Sequence, residues 1–264
     1  MGSFPLGSQR NGDPPGSGRR ISIYIRGIMT ELEYEKRRIR NSVDDIVALN
    51  AKMFCELGPG ENGLLSRELN SRGVKSVAVE APWAQEVNMA WAKEMGIPIY
   101  LQEFFTGDLS VIKEPVDCFI LTHCIAHFRF SPYILMRKLY DALPSGGYMF
   151  LSTVNATSYM RASEFLRGRS NSERVPPVEN KVFIERAKEW NRTGMQQIWD
   201  DWMHVKEYTL PEIKELFTET GFKIESATLR NNHPEWNRAF WKKNLAIKFL
   251  PQLADEIVVV GRKP

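Results

Sequence analysis

The 264-residue sequence contains little cysteine, little histidine and no long apolar run. Its three cysteines (Cys55, Cys118 and Cys124) lack CxxC spacing, which argues against metal or disulfide roles and predicts buried thiols in a reducing, cytoplasmic compartment. No segment is apolar for long enough to cross a bilayer, and none near the start resembles a signal peptide, so we expect no membrane partner. The formal net charge is only +3, and its Lys and Arg residues are dispersed, so we expect no nucleic-acid partner.

What the chain does contain fits one globular domain. Hydrophobic residues make up 43% of the sequence and charged residues 25%, which is enough for a full core. Residues 1–18 are rich in Gly, Pro and Ser, and we predict a disordered tail there. Residues 19–264 are predicted to form a single domain.

Predicted helices and strands alternate along most of the sequence. Apolar spacing predicts helices over residues 30–50, 64–69, 83–95, 132–143 and 210–220. Short apolar runs predict strands over residues 51–55, 75–79, 98–102, 116–122, 148–154, 222–229 and 256–261. Continuous apolar strands separated by helices indicate an α/β, Rossmann-like, mostly parallel sheet of seven strands with helices on both faces. Residues 155–208 contain no clear strand, and we expect them to form a helical lid on the substrate side.

The most informative segment is the glycine-rich turn after the first predicted strand, ELGPGENG at residues 56–63. Gly58 and Gly60 let a ligand approach the backbone closely, and the following helix start offers unpaired N–H groups. Glu56 would repel a pyrophosphate but favours an ammonium group or ribose hydroxyls. No Lys-Ser or Lys-Thr follows the turn, so the pattern of a nucleoside-triphosphate loop is absent.

Acidic residues also follow the next two predicted strands. Glu80 comes about 20 residues after the turn, a spacing that suits hydrogen bonds to both hydroxyls of a ribose; its alternative is a solvent-facing charge. Asp108, within the TGDLS segment that also holds Gly107 and Leu109, has two readings. It either accepts a hydrogen bond from an exocyclic amine of a base or caps a turn.

The fourth strand ends in two histidines four residues apart, His123 and His127, which would share one face of a helix. No glutamate follows the first histidine and no third ligand is evident. We therefore predict no zinc site and no other metal.

In this order, the motifs ELGPGENG, VAVEAPW, TGDLS, FILTHCIAHF and GGYMFLSTVN resemble those of class I S-adenosylmethionine-dependent methyltransferases. The resemblance covers roughly residues 50–230. Within it, STVN at 152–155, Arg161, LRGRS at 166–170 and HVKEYT at 204–209 are similar to segments of bacterial methyltransferases associated with sugar or polysaccharide modification. Val154 departs from that subfamily pattern, which commonly has proline, and Asn62 stands where glycine is common.

The resemblance implies S-adenosylmethionine as cofactor and assigns its contacts. Cofactor residues would be Glu56, Gly58 and Gly60 at the methionine end, Glu80 at the ribose, Gly107, Asp108 and Leu109 around the adenine, and Thr122 and His123 beside the sulfonium. An oxygen or nitrogen acceptor also needs a base of near-neutral pKa. His127 and His204 are the catalytic candidates, each with a hydrogen-bonded packing role as its alternative, whereas His233 is expected at the surface.

The predicted lid and the region after it hold the remaining substrate candidates. Five of the seven tryptophans lie at positions 190, 199, 202, 236 and 241, and such residues suit sugar rings or flat apolar faces. We nevertheless expect at least half of them to be core. Arg161, Arg167 and Arg169 would either bind an anionic group of the acceptor or form a solvated basic face.

The expected function is therefore methyl transfer to a small-molecule acceptor, first of all O-methylation of a sugar or glycan intermediate. One alternative is methylation of a natural-product scaffold. Another is a catalytically silent binding module, although such a module has no need of Glu56, Glu80 and Asp108 together. A homodimer stays open.

Overall fold

The structure is a computed structural model that describes residues 31–60, 62–82, 90–128, 130–169 and 204–264. Its strands are β1 (Phe54–Leu57), β2 (Ser76–Glu80), β3 (Ile99–Leu101), β4 (Cys118–Thr122), β5 (Tyr148–Val154), β6 (Lys223–Arg230) and β7 (Glu256–Arg262). Its α-helices are α1 (Glu31–Ala48), α2 (Leu64–Ser71), α3 (Ala90–Met95), α4 (Pro132–Ala142), α5 (Tyr159–Leu166), α6 (Leu210–Thr220) and α7 (Trp241–Phe249). Short 3₁₀ helices span Ile125–His127 and Pro251–Leu253.

The seven strands form one sheet in the order β3-β2-β1-β4-β5-β7-β6. Neighbouring strands from β3 to β5 are parallel, whereas β7 is antiparallel to both β5 and β6. This confirms the predicted Rossmann-like, mostly parallel seven-stranded sheet. The connection from β6 to β7 passes through α7, and β7 lies antiparallel between β5 and β6.

Helices cover both faces of the sheet, as predicted. Because side chains alternate along a strand, Leu57 and Leu121 face one side, where they share a core with Leu139 of α4 and Phe217 of α6. On the other side, strand residues pack with Val43 and Ile46 of α1 and Leu65 and Leu69 of α2, among others. Both faces being buried explains why the strands are continuously apolar.

Most predicted elements are confirmed to within a few residues, and β5 and α6 match exactly. The first strand is displaced: it was predicted at residues 51–55 but spans Phe54–Leu57. The Asp117 carboxylate accepts hydrogen bonds from the N–H groups of Lys52 and Met53, at 2.8–3.1 Å, and holds them outside the sheet. As a result, Glu56 lies inside a central strand rather than beyond its end.

The remaining predictions concern the N-terminal tail, the lid, the late tryptophans and His233. The segment 170–203, and with it most of the predicted lid and Trp190, Trp199 and Trp202, lies outside the described residues, as does the predicted tail. Trp236 and Trp241 are exposed rather than core. The prediction that His233 lies at the surface is wrong: it is buried, and its ring stacks on Phe240 at a centroid distance of 4.5 Å.

The described residues include all three cysteines. All three thiols are free; Cys55 and Cys118 are buried, and Cys124 is partly so. In the residues that the structure describes, no cluster of side chains is suited to a metal ion. None of the helices in those same ranges has the length and apolarity needed to span a bilayer.

Candidate active site

The sheet order reverses between β1 and β4, and a cavity of about 340 Å³ lies there. Open parallel sheets bind ligands at such a switch point, beyond the carboxyl ends of the strands. The cavity brings together five of the predicted cofactor residues: Glu56, Gly58, Gly60, Thr122 and His123. The other four, Glu80, Gly107, Asp108 and Leu109, lie outside its wall.

The glycine turn has a conformation that side chains would oppose. Gly58 and Gly60 both have φ of +69°, and Gly63 has φ of +52°, in the left-handed region that favours glycine. A Cβ on Gly58 would approach the Sγ atom of Cys124 to 2.9 Å. A Cβ on Gly60 would meet nothing within 4 Å, so the turn exposes bare backbone to open space.

Glu56 is a buried carboxylate on the cavity wall. Only 2% of the residue is exposed, and Ser66 Oγ donates a hydrogen bond to it over 2.5 Å. Burial raises the pKa of Glu56 to about 7, with a smaller contribution from the negative charge of Glu80, while the Ser66 hydrogen bonds act in the opposite direction. A bound cation would favour the ionised form that burial disfavours.

Glu80 connects the end of β2 to the glycine turn. Its Oε2 atom accepts a hydrogen bond from the Gly60 N–H at 3.2 Å, and its Oε1 atom accepts one from the Ala81 N–H at 2.8 Å. The residue is buried. Its carboxylate therefore lies next to the turn residue whose backbone is open to a ligand.

The segment after β3 forms a separate, tightly bonded turn. Hydrogen bonds from Ser110, through its side chain and its N–H, and from the Gln102 side chain lower the pKa of Asp108 to about 2. Leu109 is buried with φ of +66°, and its N–H donates to Gln102 Oε1. A Cβ on Gly107 would overlap the Gln102 side chain, at 2.2 Å. This is the turn-capping arrangement named as the alternative for Asp108, and it leaves the exposed carboxylate charged.

The end of β4 carries Thr122 and His123 into the cavity. His123 has φ of +51°, unusual for a residue with a Cβ, and its Nε2 atom lies 2.7 Å from the buried Glu256 carboxylate of β7. Burial, helped by the positive charge of Arg38, lowers the pKa of His123 to about 4, although Glu256 acts in the opposite direction. A neutral imidazole that donates Nε2–H to Glu256 is therefore fixed beside the cavity.

Arg38 of α1 is a site residue that the sequence analysis missed. Its side chain lines the cavity together with Ile39 and Ser42. No local motif singles it out, because it lies on a helix that was interpreted only through its apolar stripe. The cavity thus pairs one buried carboxylate, Glu56, with one guanidinium.

The segment 204–208 passes the end of β4 and carries a polar triad. The N–H groups of Val205 and Lys206 donate to the Ala126 carbonyl at 2.7 and 3.2 Å, which fixes the segment to the 3₁₀ helix Ile125–His127. His204 Nδ1 lies 2.8 Å from Glu207 Oε1. Arg161 of α5 binds the same carboxylate through two nitrogens, with Nε at 2.7 Å from Oε2.

The charge of this triad is internally balanced. Burial alone would raise the pKa of Glu207, but the hydrogen bonds from His204 and Arg161 hold it below its usual range. His127 packs against the triad, since its ring meets the His204 ring edge to face at a centroid distance of 4.9 Å. The structure thus brings together the two histidines that were predicted as alternative bases.

The predicted anion-binding arginines are all engaged by carboxylates. Arg161 is committed to Glu207, whereas Arg167 and Arg169 both pair with Glu164 at 3.1–3.2 Å. Arg167 and Arg169 are exposed, which fits the solvated basic face named as their alternative. None of the three lines the cavity.

Comparison with known proteins identifies the same type of fold. A family model described as "Methyltransferase domain" matches residues 32–227, about three quarters of the chain. A search of curated proteins finds no significant match.

Among solved structures, an S-adenosylmethionine-dependent methyltransferase from Archaeoglobus fulgidus matches with a TM-score of 0.56 and 12% identity, covering 92% of this chain and 100% of that one. A chain in the complex of the Haloferax volcanii Trm112 methyltransferase activator with a methyltransferase matches with a TM-score of 0.53 and 11% identity, covering 89% and 95%. The S-adenosylmethionine-dependent methyltransferase SibL matches with a TM-score of 0.50 and 16% identity, covering 84% of this chain. The present chain spans only 53% of SibL.

Proposed function

We propose a function from one premise: the chain belongs to the methyltransferase domain family, whose model matches residues 32–227. It is an S-adenosylmethionine-dependent methyltransferase that acts on a small-molecule acceptor. More specifically, the acceptor atom is a hydroxyl oxygen, and the acceptor is a sugar or glycan intermediate, as the motifs around residues 152–170 and 204–209 suggest.

The residues around the cavity fit this methyl donor. Glu56 and Arg38 offer opposite charges to the ammonium and carboxylate of an amino acid. Gly60 leaves space for close contact with the backbone, and Glu80 beside it binds the ribose hydroxyls. Asp108 and Leu109 bound the adenine, Gly107 keeps their turn compact, and Thr122 and His123 lie beside the methionine end. When bound, the donor supplies an electrophilic methyl group on a sulfonium sulfur.

His204 acts as the base in this proposal. Its Nδ1–H donates to Glu207, which selects the tautomer whose Nε2 carries the lone pair. As the acceptor oxygen takes the methyl group, its proton moves to His204 Nε2, and the Glu207 carboxylate stabilises the imidazolium. His127 packs on the His204 ring and limits its rotation. The single observation that carries the proposal is the Arg161–Glu207–His204 triad fixed next to the end of β4.

The test has a binding part and a transfer part. Calorimetry with S-adenosylhomocysteine measures the cofactor site, and no binding at millimolar ligand would exclude an enzyme in favour of a silent module. Transfer of labelled methyl groups is then screened over nucleotide-sugars and small phenols. The expected result is labelling of a nucleotide-sugar that His204→Ala abolishes without loss of cofactor affinity.

A flat natural-product scaffold is the second candidate acceptor. Phe128 and Phe130 stack at a centroid distance of 4.7 Å next to His127, and Phe105 packs on Phe130 while remaining half exposed. Such rings favour an aromatic acceptor. In the same screen, labelling of a phenol but no sugar would select this candidate.

A further inference from the structure

Helix α7 buries polar residues and exposes apolar ones, the reverse of a usual amphipathic helix. Its polar residues Lys243 and Asn244 are buried, whereas Trp241, Leu245 and Phe249 are 45%, 40% and 73% exposed. These three residues are spaced four apart, so they form one stripe on the solvent side of the helix. None of them lines the methyl-transfer cavity.

Specific polar contacts fix α7 in this orientation. Lys243 Nζ lies 2.7 Å from the Asp255 carboxylate. Asn244 accepts a hydrogen bond from the Asn231 side chain at 2.8 Å and donates one to the Glu235 carbonyl at 2.7 Å. Rotating the apolar stripe inward would break these bonds and leave buried polar groups unsatisfied. The exposure of the stripe is therefore built into the fold.

The charged residues of α7 itself are all lysines. Lys242 and Lys248 are exposed at its two sides, and the sequence of α7, WKKNLAIKF, contains no acidic residue. Lys242 Nζ also lies 5.5 Å from the centroid of the Trp241 ring. The apolar surface continues onto Leu250, and α5, which packs against α7, exposes Phe165 and Leu166.

We propose that this basic, apolar face of α7 binds the surface of an anionic phospholipid bilayer. Trp241, Leu245 and Phe249 enter the boundary between headgroups and acyl chains, and Lys242 and Lys248 pair with lipid phosphates. A second copy of the chain is the poorer occupant, because symmetric pairing of α7 would bring lysines against lysines with no carboxylate on that helix. This surface binding is separate from the proposed methyl transfer. It departs from the expectation of no membrane partner, which rested on the lack of a membrane-spanning segment, because binding to a bilayer surface requires no such segment.

The experiment is co-sedimentation of the whole protein with vesicles. We compare vesicles of phosphatidylcholine alone with vesicles of equal parts phosphatidylcholine and phosphatidylglycerol. The wild-type protein is expected to bind only the anionic vesicles, and salt should weaken the binding. The double variants Leu245→Gln/Phe249→Gln and Lys242→Gln/Lys248→Gln should each reduce the affinity by about tenfold or more.

Matched control variants distinguish binding through this face from nonspecific binding to vesicles. Val47→Gln changes an exposed apolar residue on α1, and Lys214→Gln/Lys223→Gln removes two exposed lysines elsewhere. Both control variants should bind the anionic vesicles like the wild-type protein. Soluble glycerophosphoglycerol should not compete with the vesicles, whereas it would compete if the face were a site for free phosphate groups. Circular dichroism checks that all variants remain folded.

Three results would overturn the proposal. One is an absence of binding to anionic vesicles, and another is that the α7 variants and the control variants reduce vesicle binding equally. The third is concentration-dependent self-association in analytical ultracentrifugation that Leu245→Gln/Phe249→Gln abolishes, with no vesicle binding, which would assign the face to a second copy.

Discussion

The His204 Nδ1 atom lies 2.8 Å from the Glu207 carboxylate, and Arg161 holds that carboxylate from its other side. The arrangement joins α5 to the segment before α6, because Arg161 is distant in sequence from His204 and Glu207 but shares one charge cluster with them. Its consequence is a histidine with a fixed tautomer and ring orientation next to the end of β4. Replacing any member should affect catalysis in a distinguishable way.

Glu207→Gln tests the positioning of the base. The amide keeps the volume but cannot stabilise an imidazolium, so we expect turnover to fall by up to about a hundredfold while cofactor affinity stays unchanged. Steady-state kinetics and calorimetry with S-adenosylhomocysteine measure the two quantities. Glu207→Asp, which retains the charge, should recover part of the turnover. If the Glu207→Gln variant were as active as the wild-type enzyme, the triad would have only a packing role.

His204→Ala should lower turnover by about 10²–10⁴-fold if the imidazole accepts the proton. His127→Ala, which removes only the ring packed against it, should cost much less. The comparison requires both variants to be folded, which thermal melting establishes. The reverse order of effects would assign the base to His127.

The cavity charges predict separate contacts to the two ends of the cofactor. Arg38→Met should lower the affinity for S-adenosylhomocysteine, which has a carboxylate, by about tenfold or more. The affinity for 5′-methylthioadenosine, which has no carboxylate, should not change. Glu80→Ala should weaken both ligands, by a few kcal/mol at most, because both contain the ribose. Isothermal calorimetry with the two ligands gives four affinities. An Arg38→Met variant that weakens both ligands equally would place the guanidinium elsewhere, and unchanged affinities in Glu80→Ala would refute the ribose contact.

The buried Glu56 predicts opposite pH effects on stability and on binding. Because its folded pKa of about 7 exceeds the usual value of 4.5, its contribution to stability is full below pH 4.5 and is lost as the pH rises through 7. Glu56→Gln should therefore raise the free energy of unfolding at pH 8 by about 1–3 kcal/mol relative to wild type. Cofactor binding needs the ionised carboxylate, so wild-type affinity should fall as the pH drops below 7.

Denaturant titrations and calorimetry across pH 5 to 8 check both effects of Glu56. The Gln variant should be more stable at pH 8 yet bind S-adenosylhomocysteine more weakly. An affinity that is flat between pH 5.5 and 7 would contradict the ammonium contact.

The sheet and the glycine turn could be predicted because local patterns determine them. Continuous apolar strands require two covered faces, and a left-handed turn requires glycine. The position of Arg38 at the cavity and the ion pair between Arg161 and Glu207 could not be predicted in the same way, since tertiary contacts alone create them. Helix α7 escaped prediction because its buried Lys243 and exposed Phe249 invert the usual amphipathic pattern. His233 was assigned to the surface for its polar neighbours, although Phe240 stacks on it.

Gly60 offers a test of close ligand approach with an internal control. Gly60 and Gly73 have nearly the same left-handed conformation, with φ of +69° and +74°, and a Cβ on either would meet nothing within 4 Å. Alanine at each position should therefore cost about the same stability, on the order of 1 kcal/mol. Only Gly60 of the two borders the cavity, so only Gly60→Ala should lower the affinity for S-adenosylhomocysteine measured by calorimetry. If Gly73→Ala weakened it equally, the loss would reflect general destabilisation; if neither did, the ligand would not contact the turn at Gly60.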